Sequence, residues 1–387
     1  MNIKEIFNSI AESIRNKLNI EDKILPINYS NEIENIVTDI VVDKDINESI
    51  DILISYGISK YNGDIEDLND GRNQLAATSV GDYALFAGGT NIYYTESSLE
   101  TVDSYSSSLV HGNPAGLGIA KCNLAATTIN NYAIFAGGQQ SVNSKIQFLS
   151  NVSSYNVNLT RGNVTGLTQI KAYLAATSVA NYAIFGGGYN INGVLSTIDT
   201  YDSSLSHSIT TYLNDAREYI ASTTVGNYAL FAGGYSSSFL FDTVDSYNSS
   251  LVHGIPTNLS VARYQLAASS VGNYALFAGG RDSDANRLAT VDVYDTSLVH
   301  DIASDLGIRR QSLAATSIGE CALFGGGRSD DGYPSIVDGY NASLSKLDIE
   351  DLNNGRSGLV ATATNSFAIF GGGSNGEYIT AVDVYTV

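Results

Sequence analysis

Several residue types are scarce in this chain of 387 residues, and each scarcity excludes a class of protein. Two cysteines are too few for a disulfide framework. The 20 basic residues face 40 acidic ones, and this net charge of −20 argues against nucleic-acid binding, which needs clustered Lys and Arg. No apolar run reaches the roughly 18 residues of a membrane span, and the charged N-terminus lacks the apolar core of a signal peptide. We therefore expect a protein made in the cytoplasm without a signal peptide and without membrane insertion.

Tryptophan is absent, proline occurs only 4 times, and charged residues make up only 16 % of the chain. Ordinary soluble domains carry roughly 25 % charged residues. Glycine (37) and tyrosine (25) are plentiful, and 43 % of the residues are hydrophobic. This is enough apolar surface for a packed core, so a disordered chain is excluded. Low charge favours sheets packed against sheets, which leave few strand faces in water.

One bipartite motif recurs seven times. Its first half, LAATSVGDYALFAGG at Leu75, returns at intervals of 46 to 50 residues, at Leu124, Leu174, Ile220, Leu266, Leu313 and Leu359. Its second half, VDSY or a close variant, begins at Val102, Val152, Ile198, Val244, Val291, Val337 and Val382. Each unit contains four short apolar or alternating runs, the first two separated by a two-residue turn. Four strands in each of seven units predict a mainly β fold, a seven-bladed β-propeller.

The last repeat has no fourth strand after Tyr385, because the sequence ends at Val387. A replacement is found near the other end, where residues 64–69 repeat the sequence of residues 348–353. The sequence therefore predicts that residues 57–68 pair beside the strand at 382–385 and remove two exposed sheet edges. On this interpretation residues 51–387 form the propeller domain, and residues 51–70 supply its closing strand.

The repeat resembles the kelch family, which has a Gly-Gly pair after the second strand and a tyrosine ending the third. The pairs begin at Gly88, Gly137, Gly187, Gly233, Gly279, Gly326 and Gly372, and the tyrosines are Tyr105, Tyr155, Tyr201, Tyr247, Tyr294, Tyr340 and Tyr385. A basic residue three places before each LAAT also fits: Arg72, Lys121, Lys171, Arg217, Arg263, Arg310 and Arg356. The fourth-strand tryptophan of the family is missing throughout. The resemblance implies the fold, whereas propellers as a class have many unrelated functions.

Residues 1–50 lie outside the repeat. Apolar residues at three- and four-residue steps predict a helix over about residues 2–18, and a second helical stretch is expected around residues 31–37. The pattern of Ile10, Ile14, Ile24, Tyr29 and Ile33 resembles a segment of tail-associated proteins of phages that infect Gram-positive bacteria. This resemblance implies a docking or oligomerisation segment, and the narrow apolar stripe suggests a homo-oligomer. The alternative is an amphipathic helix that caps the propeller.

Catalytic and metal-binding patterns are weak. Four histidines, His111, His207, His253 and His300, each follow a motif tyrosine by six residues in four different blades, so they are not expected to converge on a metal. Cys122 and Cys321 are expected to be buried structural thiols. Acidic residues in the loops show no paired spacing of the kind a glycosidase needs. We therefore expect no catalytic residues, no metal and no cofactor.

Two sets of residues are candidates for binding. The seven basic residues recur in step with Asp103, Asp199, Asp245, Asp292, Asp338 and Asp383, with Ser153 as the exception, which predicts ion pairs between adjacent strands. The alternative is a basic ring that captures an anion. The second set lies in loops between the second and third strands, which differ in length and composition on a constant scaffold. Its aromatic members form a candidate binding face: Tyr93, Tyr94, Phe148, Tyr189, Tyr235, Phe239 and Tyr333.

These observations favour a non-enzymatic phage or phage-like tail or baseplate protein, located in the virion. Residues 1–50 would contact other tail proteins, and the propeller would recognise a bacterial surface glycan or protein. One alternative is an intracellular kelch-type adaptor that binds another protein. The other alternative is a glycan-active enzyme.

Overall fold

The computed structural model describes residues 58–91, 98–143, 145–237 and 239–387. The helices predicted within residues 1–50 lie outside this part of the chain. Residues Ser59–Val387 form one compact unit that contains seven four-stranded antiparallel sheets. The seven-bladed β-propeller predicted from the repeat is therefore confirmed. We number the blades 1 to 7 in the order of the repeats.

The strands of each blade follow one another from the inside of the ring to the outside. The first strands are Ala76–Val80, Ala125–Ile129, Ala175–Val179, Ala221–Val225, Ala267–Val271, Ala314–Ile318 and Val360–Ala363. The second strands are Tyr83–Ala87, Tyr132–Ala136, Tyr182–Gly186, Tyr228–Ala232, Tyr274–Ala278, Cys321–Gly325 and Phe367–Gly371. The third strands are Val102–Ser106, Val152–Asn156, Ile198–Asp202, Val244–Asn248, Val291–Asp295, Val337–Asn341 and Val382–Thr386. The fourth strands are His111–Gly112, Arg161–Val164, His207–Ile209, His253–Gly254, His300–Ala303 and Lys346–Asp348, with Ser59–Lys60 in blade 7.

First strands of neighbouring blades contact each other, because their alanines, serines and threonines allow a close approach. The hydroxyls of Thr78 and Thr128 lie 2.7 Å apart between blades 1 and 2, and those of Thr177 and Thr224 lie 2.8 Å apart between blades 3 and 4. A two-residue turn then reverses the chain, and Gly81 begins this turn in blade 1 with φ of 53°.

The core lies between consecutive sheets rather than inside one sheet. A typical cluster joins Val80 and Leu85 of blade 1 to Phe135 and Tyr155 of blade 2. In every blade the second-strand phenylalanine meets the third-strand tyrosine edge to face, with ring centroids 5.7 to 6.0 Å apart. Both faces of the second strands are buried, which explains why these strands are continuous apolar runs.

The outermost strand of blade 7 comes from the start of the described chain. Ser59 pairs with Thr386 and Lys60 with Tyr385, in antiparallel register. Tyr61 N–H donates to the carbonyl of Val384 at 2.8 Å. Strand geometry covers only Ser59–Lys60, a shorter stretch than the predicted 57–68, and the following residues make single hydrogen bonds such as Leu68 N–H to Thr380 O at 3.0 Å.

The connections between second and third strands form a small hairpin in blades 2, 3 and 4. These hairpins pair Gln139–Val142 with Lys145–Phe148, Tyr189–Asn190 with Gly193–Val194, and Tyr235–Ser236 with Phe239–Leu240. They stand on the same face as the links that enter each first strand, because residues before each first strand pair with the residue after each Gly-Gly. Among the described residues, no helix has the length and apolar character required to cross a bilayer.

Candidate binding face and buried ion-pair ring

The seven basic residues are fully buried, and six of them pair with the third-strand aspartate of their own blade. The cationic nitrogen lies 2.5 to 2.8 Å from Oδ2 in each pair: Arg72–Asp103, Lys171–Asp199, Arg217–Asp245, Arg263–Asp292, Arg310–Asp338 and Arg356–Asp383. Each of these six cations is already neutralised by a carboxylate of its own blade, so it has no unpaired charge to offer a soluble anion. The geometry therefore favours the architectural interpretation over anion capture in these six blades.

The second oxygen of each aspartate is bound from the fourth strand. A nitrogen lies 2.6 to 2.9 Å from Oδ1, and it belongs to His111, His207, His253, His300, Lys346 or Lys60. Each histidine thus faces the carboxylate of its own blade. Within the described residues, no group of three or more His, Cys, Asp or Glu is arranged to hold a metal ion.

A backbone N–H completes the coordination of each carboxylate. It comes from the residue three places before the basic residue, for example Thr168 N–H to Asp199 at 2.8 Å and Asn214 N–H to Asp245 at 2.8 Å. Burial alone would raise the pKa of Asp199, but the charge of Lys171 and the hydrogen bonds from Thr168 lower it below the usual range. The Asp199 carboxylate is therefore ionised, and all six carboxylates are paired and hydrogen-bonded, as buried charges need to be.

Blade 2 departs from this pattern. Ser153 stands where the other blades have aspartate, and its hydroxyl donates to the carbonyl of Leu117 at 2.8 Å. Lys121 has no exposed surface and donates only to the carbonyls of Phe135 and Asn151, at 3.5 and 3.2 Å. Burial lowers the pKa of Lys121 to about 7. The fourth-strand position is taken by Arg161, a second cation.

Lys60 is a member of the ring that the sequence did not reveal. It takes the fourth-strand position in blade 7, and its Nζ lies 2.9 Å from Asp383 Oδ1. The repeat places this position six residues after a motif tyrosine and ten before the next basic residue, as in Lys346 and Arg356. Lys60 precedes Arg72 by twelve residues, so the spacing rule misses it. The sequence did contain a sign of this role, because Lys60 lies only two residues away from the position that the repeat spacing predicts.

The mouth of the central channel is surrounded by residues in the left-handed backbone region. They lie two places after each basic residue and have φ between 54° and 64°: Gln74, Asn123, Tyr173, Tyr219, Gln265, Ser312 and Gly358. Backbone bonds between blades hold them, such as Asn123 N–H to Gln74 O at 2.9 Å and Tyr173 N–H to Asn123 O at 3.0 Å. Such costly conformations persist only where the surroundings enforce them. The scaffold is therefore uniform here, while the side chains it presents vary from blade to blade.

Four tyrosines form a continuous group on one side of this mouth, in blades 3, 4 and 5. The ring centroids of Tyr173 and Tyr219 are 4.8 Å apart, those of Tyr219 and Tyr264 are 6.1 Å apart, and those of Tyr264 and Tyr235 are 5.5 Å apart. All four side chains are half-buried, so each ring keeps part of its surface open. We name Tyr173, Tyr219, Tyr235 and Tyr264 the tyrosine patch.

Polar groups border the tyrosine patch. Gln139 Nε2 donates to the hydroxyl of Tyr173 at 3.2 Å, and Arg281 Nη1 donates to the hydroxyl of Tyr264 at 3.4 Å. Burial raises the pKa of Tyr173 above its usual value, so its hydroxyl keeps its proton. Burial also raises the pKa of Glu218, whose backbone pairs with Tyr235, to about 7. The patch thus combines ring surface with hydrogen-bonding groups.

The aromatic residues predicted as a binding face are distributed as follows. Tyr235 belongs to the tyrosine patch, and Tyr189 meets Phe148 edge to face at 5.7 Å beside it. Phe239, at the far side of its hairpin, is 70 % exposed. Tyr333 of blade 6 lies apart from them, with the guanidinium of Arg328 5.9 Å from its ring centre. Tyr93 and Tyr94 lie outside the described residues.

Tyr173, Tyr219 and Tyr264 were not predicted, because these residues lie inside the repeat motif and not in the variable loops. A signal was present. The position one place after the basic residue differs in every blade, and the next position carries five different residue types, although the residues on both sides of this pair are nearly constant. Variation at one position of an otherwise uniform repeat points to a surface that varies without disturbing the fold.

The central channel of the propeller is lined by hydroxyl-bearing side chains. A cavity of about 460 Å³ is lined by first-strand residues such as Thr78, Thr177, Thr223 and Thr316, so its wall is rich in hydroxyls.

Cys122 and Cys321 are buried free thiols, and burial raises the pKa of Cys321 to about 12. Neither thiol therefore has the thiolate character of a nucleophile.

Comparison with known proteins gave no match, either among the family models or among the curated proteins.

Proposed function

We propose that this protein is a non-enzymatic recognition propeller of the kelch type that binds an uncharged carbohydrate through its tyrosine patch. The observation that carries the proposal is the presence of four touching tyrosines at the channel mouth, on a backbone that is otherwise the same in every blade. The kelch assignment is supported by the Gly-Gly pairs, the third-strand tyrosines and the buried basic residues. The absent tryptophan is a departure from that family.

The chemistry of the patch suits a sugar ring. Tyrosine offers an apolar ring face together with a hydroxyl, so it can stack on a pyranose and also hydrogen-bond to its edge. Gln139 and Arg281 provide further groups that can bond to hydroxyls. A protein of net charge −20 repels polyanions, which favours a neutral glycan over a teichoic-acid-like polymer.

We further propose that the propeller is displayed on a phage or phage-like tail, with residues 1–50 as the segment that contacts other tail proteins. The support is the likeness of residues 10–36 to tail-associated proteins, together with the narrow apolar stripe that suits a homo-oligomer. We also propose that the pairing of Ser59–Lys60 with Val382–Thr386 closes the ring of blades. On this view the N-terminal part of the chain both attaches the propeller and closes it.

The glycan proposal predicts that replacing Tyr173, Tyr219 and Tyr264 by alanine weakens binding to immobilised neutral cell-wall polysaccharides by about 100-fold. Each lost stacking contact is worth about 0.5–1.5 kcal/mol, and about 1.4 kcal/mol corresponds to a factor of ten. Surface plasmon resonance measures the loss. Tyr212→Ala, which removes an exposed tyrosine outside the patch, is the matched control and should leave affinity unchanged.

Equal affinity of the triple variant and the wild type, with both variants folded by circular dichroism, would contradict the glycan proposal. A second candidate function, a glycan-active enzyme, is favoured by one observation, the raised pKa of Glu218 beside the patch. Release of reducing sugar that Glu218→Gln abolishes would support this enzyme and overturn the non-enzymatic proposal.

The tail proposal predicts that antibodies against the propeller decorate the tail of purified particles in electron microscopy. A chain that lacks residues 1–50 should be missing from the particles, because the docking segment is gone, while its affinity for polysaccharide stays unchanged. Undecorated particles together with a purely cytosolic monomer would favour the intracellular adaptor instead. Light scattering of the full and shortened chains tests the expected homo-oligomer in the same preparations.

A further inference from the structure

Six blades share one arrangement around a buried carboxylate. A cation from the link before the first strand binds one oxygen, and a fourth-strand nitrogen binds the other. In blade 6, for example, Arg310 lies 2.6 Å from Asp338 Oδ2 and Lys346 lies 2.7 Å from Oδ1. The two positive side chains are held together by the negative charge between them. Each of these six blades therefore has a negative charge at the same place.

In blade 2 both cations are present and the carboxylate is missing. Ser153 occupies the aspartate position and is 3 % exposed, and its hydroxyl is already used on Leu117. Lys121 has no exposed surface, and no carboxylate of the described chain pairs with its Nζ. Burial acts on Lys121 with no neighbouring negative charge to oppose it. Leaving a buried cation without a counter-charge is costly.

Arg161 has the same placement as its counterpart in blade 6. Its Nη1 donates to Gly116 O at 3.4 Å, and Lys346 Nζ donates to the equivalent carbonyl, that of Asp305, at 2.9 Å. Lys346 bridges from that carbonyl to the carboxylate of Asp338. Arg161 donates to the equivalent carbonyl of blade 2, but this blade has no aspartate to which it could bridge.

Gly118 makes room for this arrangement. A Cβ at Gly118 would lie 1.8 Å from Arg161 Nη1, so the guanidinium lies in the space that a side chain at residue 118 would fill. The equivalent residue in blade 6 is Gly307, whose backbone N–H donates to Asp338 at 2.8 Å. The backbone N–H of Gly118 therefore occupies the position from which the other blades donate to their carboxylate.

We propose that blade 2 binds a small monovalent anion between Lys121 and Arg161, in the place that a carboxylate occupies in the other six blades. The surrounding groups are the ammonium of Lys121, the guanidinium of Arg161 and the N–H of Gly118. A formate ion reproduces the two-oxygen head of the missing aspartate, and a chloride ion reproduces its charge. The ion is a structural ligand that substitutes for the side chain that Ser153 lacks. Its site is distinct from the tyrosine patch.

The test is Ser153→Asp, which supplies the missing carboxylate from within the chain. Thermal melts are recorded at constant ionic strength while gluconate, too large to enter, is exchanged for chloride or formate. The wild-type melting temperature should rise by about 3–5 °C once the small anion reaches 100 times its Kd. The Ser153→Asp variant should melt higher than the wild type in gluconate and should not respond to either anion.

Two further measurements make the outcome decisive. In the Ser153→Asp background, which does not respond to the anions, adding Asp199→Ser leaves blade 3 without its carboxylate and should restore a response to chloride or formate. Crystals grown in sodium bromide should show an anomalous peak beside Lys121 in the wild type and none in Ser153→Asp. The proposal is overturned if the wild type and Ser153→Asp respond equally to the anions, or if Ser153→Asp melts lower than the wild type in gluconate.

Discussion

Replacing Asp245 by alanine is expected to destabilise the propeller by about 3–5 kcal/mol, the cost of leaving a buried cation without its partner. Asp245 has no exposed surface, and Arg217 Nη2 lies 2.6 Å from its Oδ2. His253 Nε2 lies 2.6 Å from Oδ1, and the N–H of Asn214 donates to the same oxygen at 2.8 Å. Removing the carboxylate therefore takes the counter-charge from the Arg217 guanidinium and an acceptor from both the His253 imidazole and the Asn214 N–H. Urea unfolding followed by tyrosine fluorescence measures the loss.

Two companion variants test the explanation of this loss. Asp284→Ala removes an exposed carboxylate of the blade 5 loop and should change stability by less than about 0.5 kcal/mol. The double variant Asp245→Ala with Arg217→Met replaces both charges and should recover part of the loss, because no unpaired charge remains. A loss below about 1 kcal/mol in Asp245→Ala alone would show that the ring of ion pairs is dispensable.

The repeat predicted the fold because each structural constraint on its residues recurs seven times. The Gly-Gly pair after the second strand is an example. Gly88 and Gly89 have φ of 69° and 103°, and a Cβ on Gly88 would lie 2.5 Å from the carbonyl of Lys121 in the next blade. A constraint of this kind allows only glycine in every blade, so it is visible from a single sequence. The buried basic residues are visible for the same reason.

The candidate sites could be predicted only in part, because they consist of what differs between blades. Tyr173 and Tyr219 become neighbours through the curvature of the ring, which sets side by side residues that are 46 positions apart in the sequence. At Ser153 the sequence shows an exception to the aspartates, but its consequence depends on Lys121 being buried without a carboxylate, which only the structure shows. The sequence pattern alone predicted neither the distance between the rings nor the burial of Lys121.

The second large effect is expected on removing the first 62 residues, which include the outermost strand of blade 7. This truncation should lower stability by about 3–5 kcal/mol and make the protein prone to aggregation. The loss includes the ion pair of Lys60 with Asp383, 2.9 Å long and almost fully buried, and the backbone pairing with Val382–Thr386. The third strand of blade 7 would be left with an unpaired edge, which can pair with another molecule.

A truncation of residues 1–50 is the matched control, because it keeps Ser59–Lys60 in the chain. We expect it to unfold at the same urea concentration as the full chain and to stay free of aggregates in size-exclusion chromatography. Lys60→Met separates the two contributions, because it removes the ion pair and leaves the backbone pairing. It should cost less than the 62-residue truncation, since Arg356 still binds the other oxygen of Asp383 at 2.8 Å. If both truncations unfold at the same urea concentration and remain equally free of aggregates, the N-terminal strand does not close the ring.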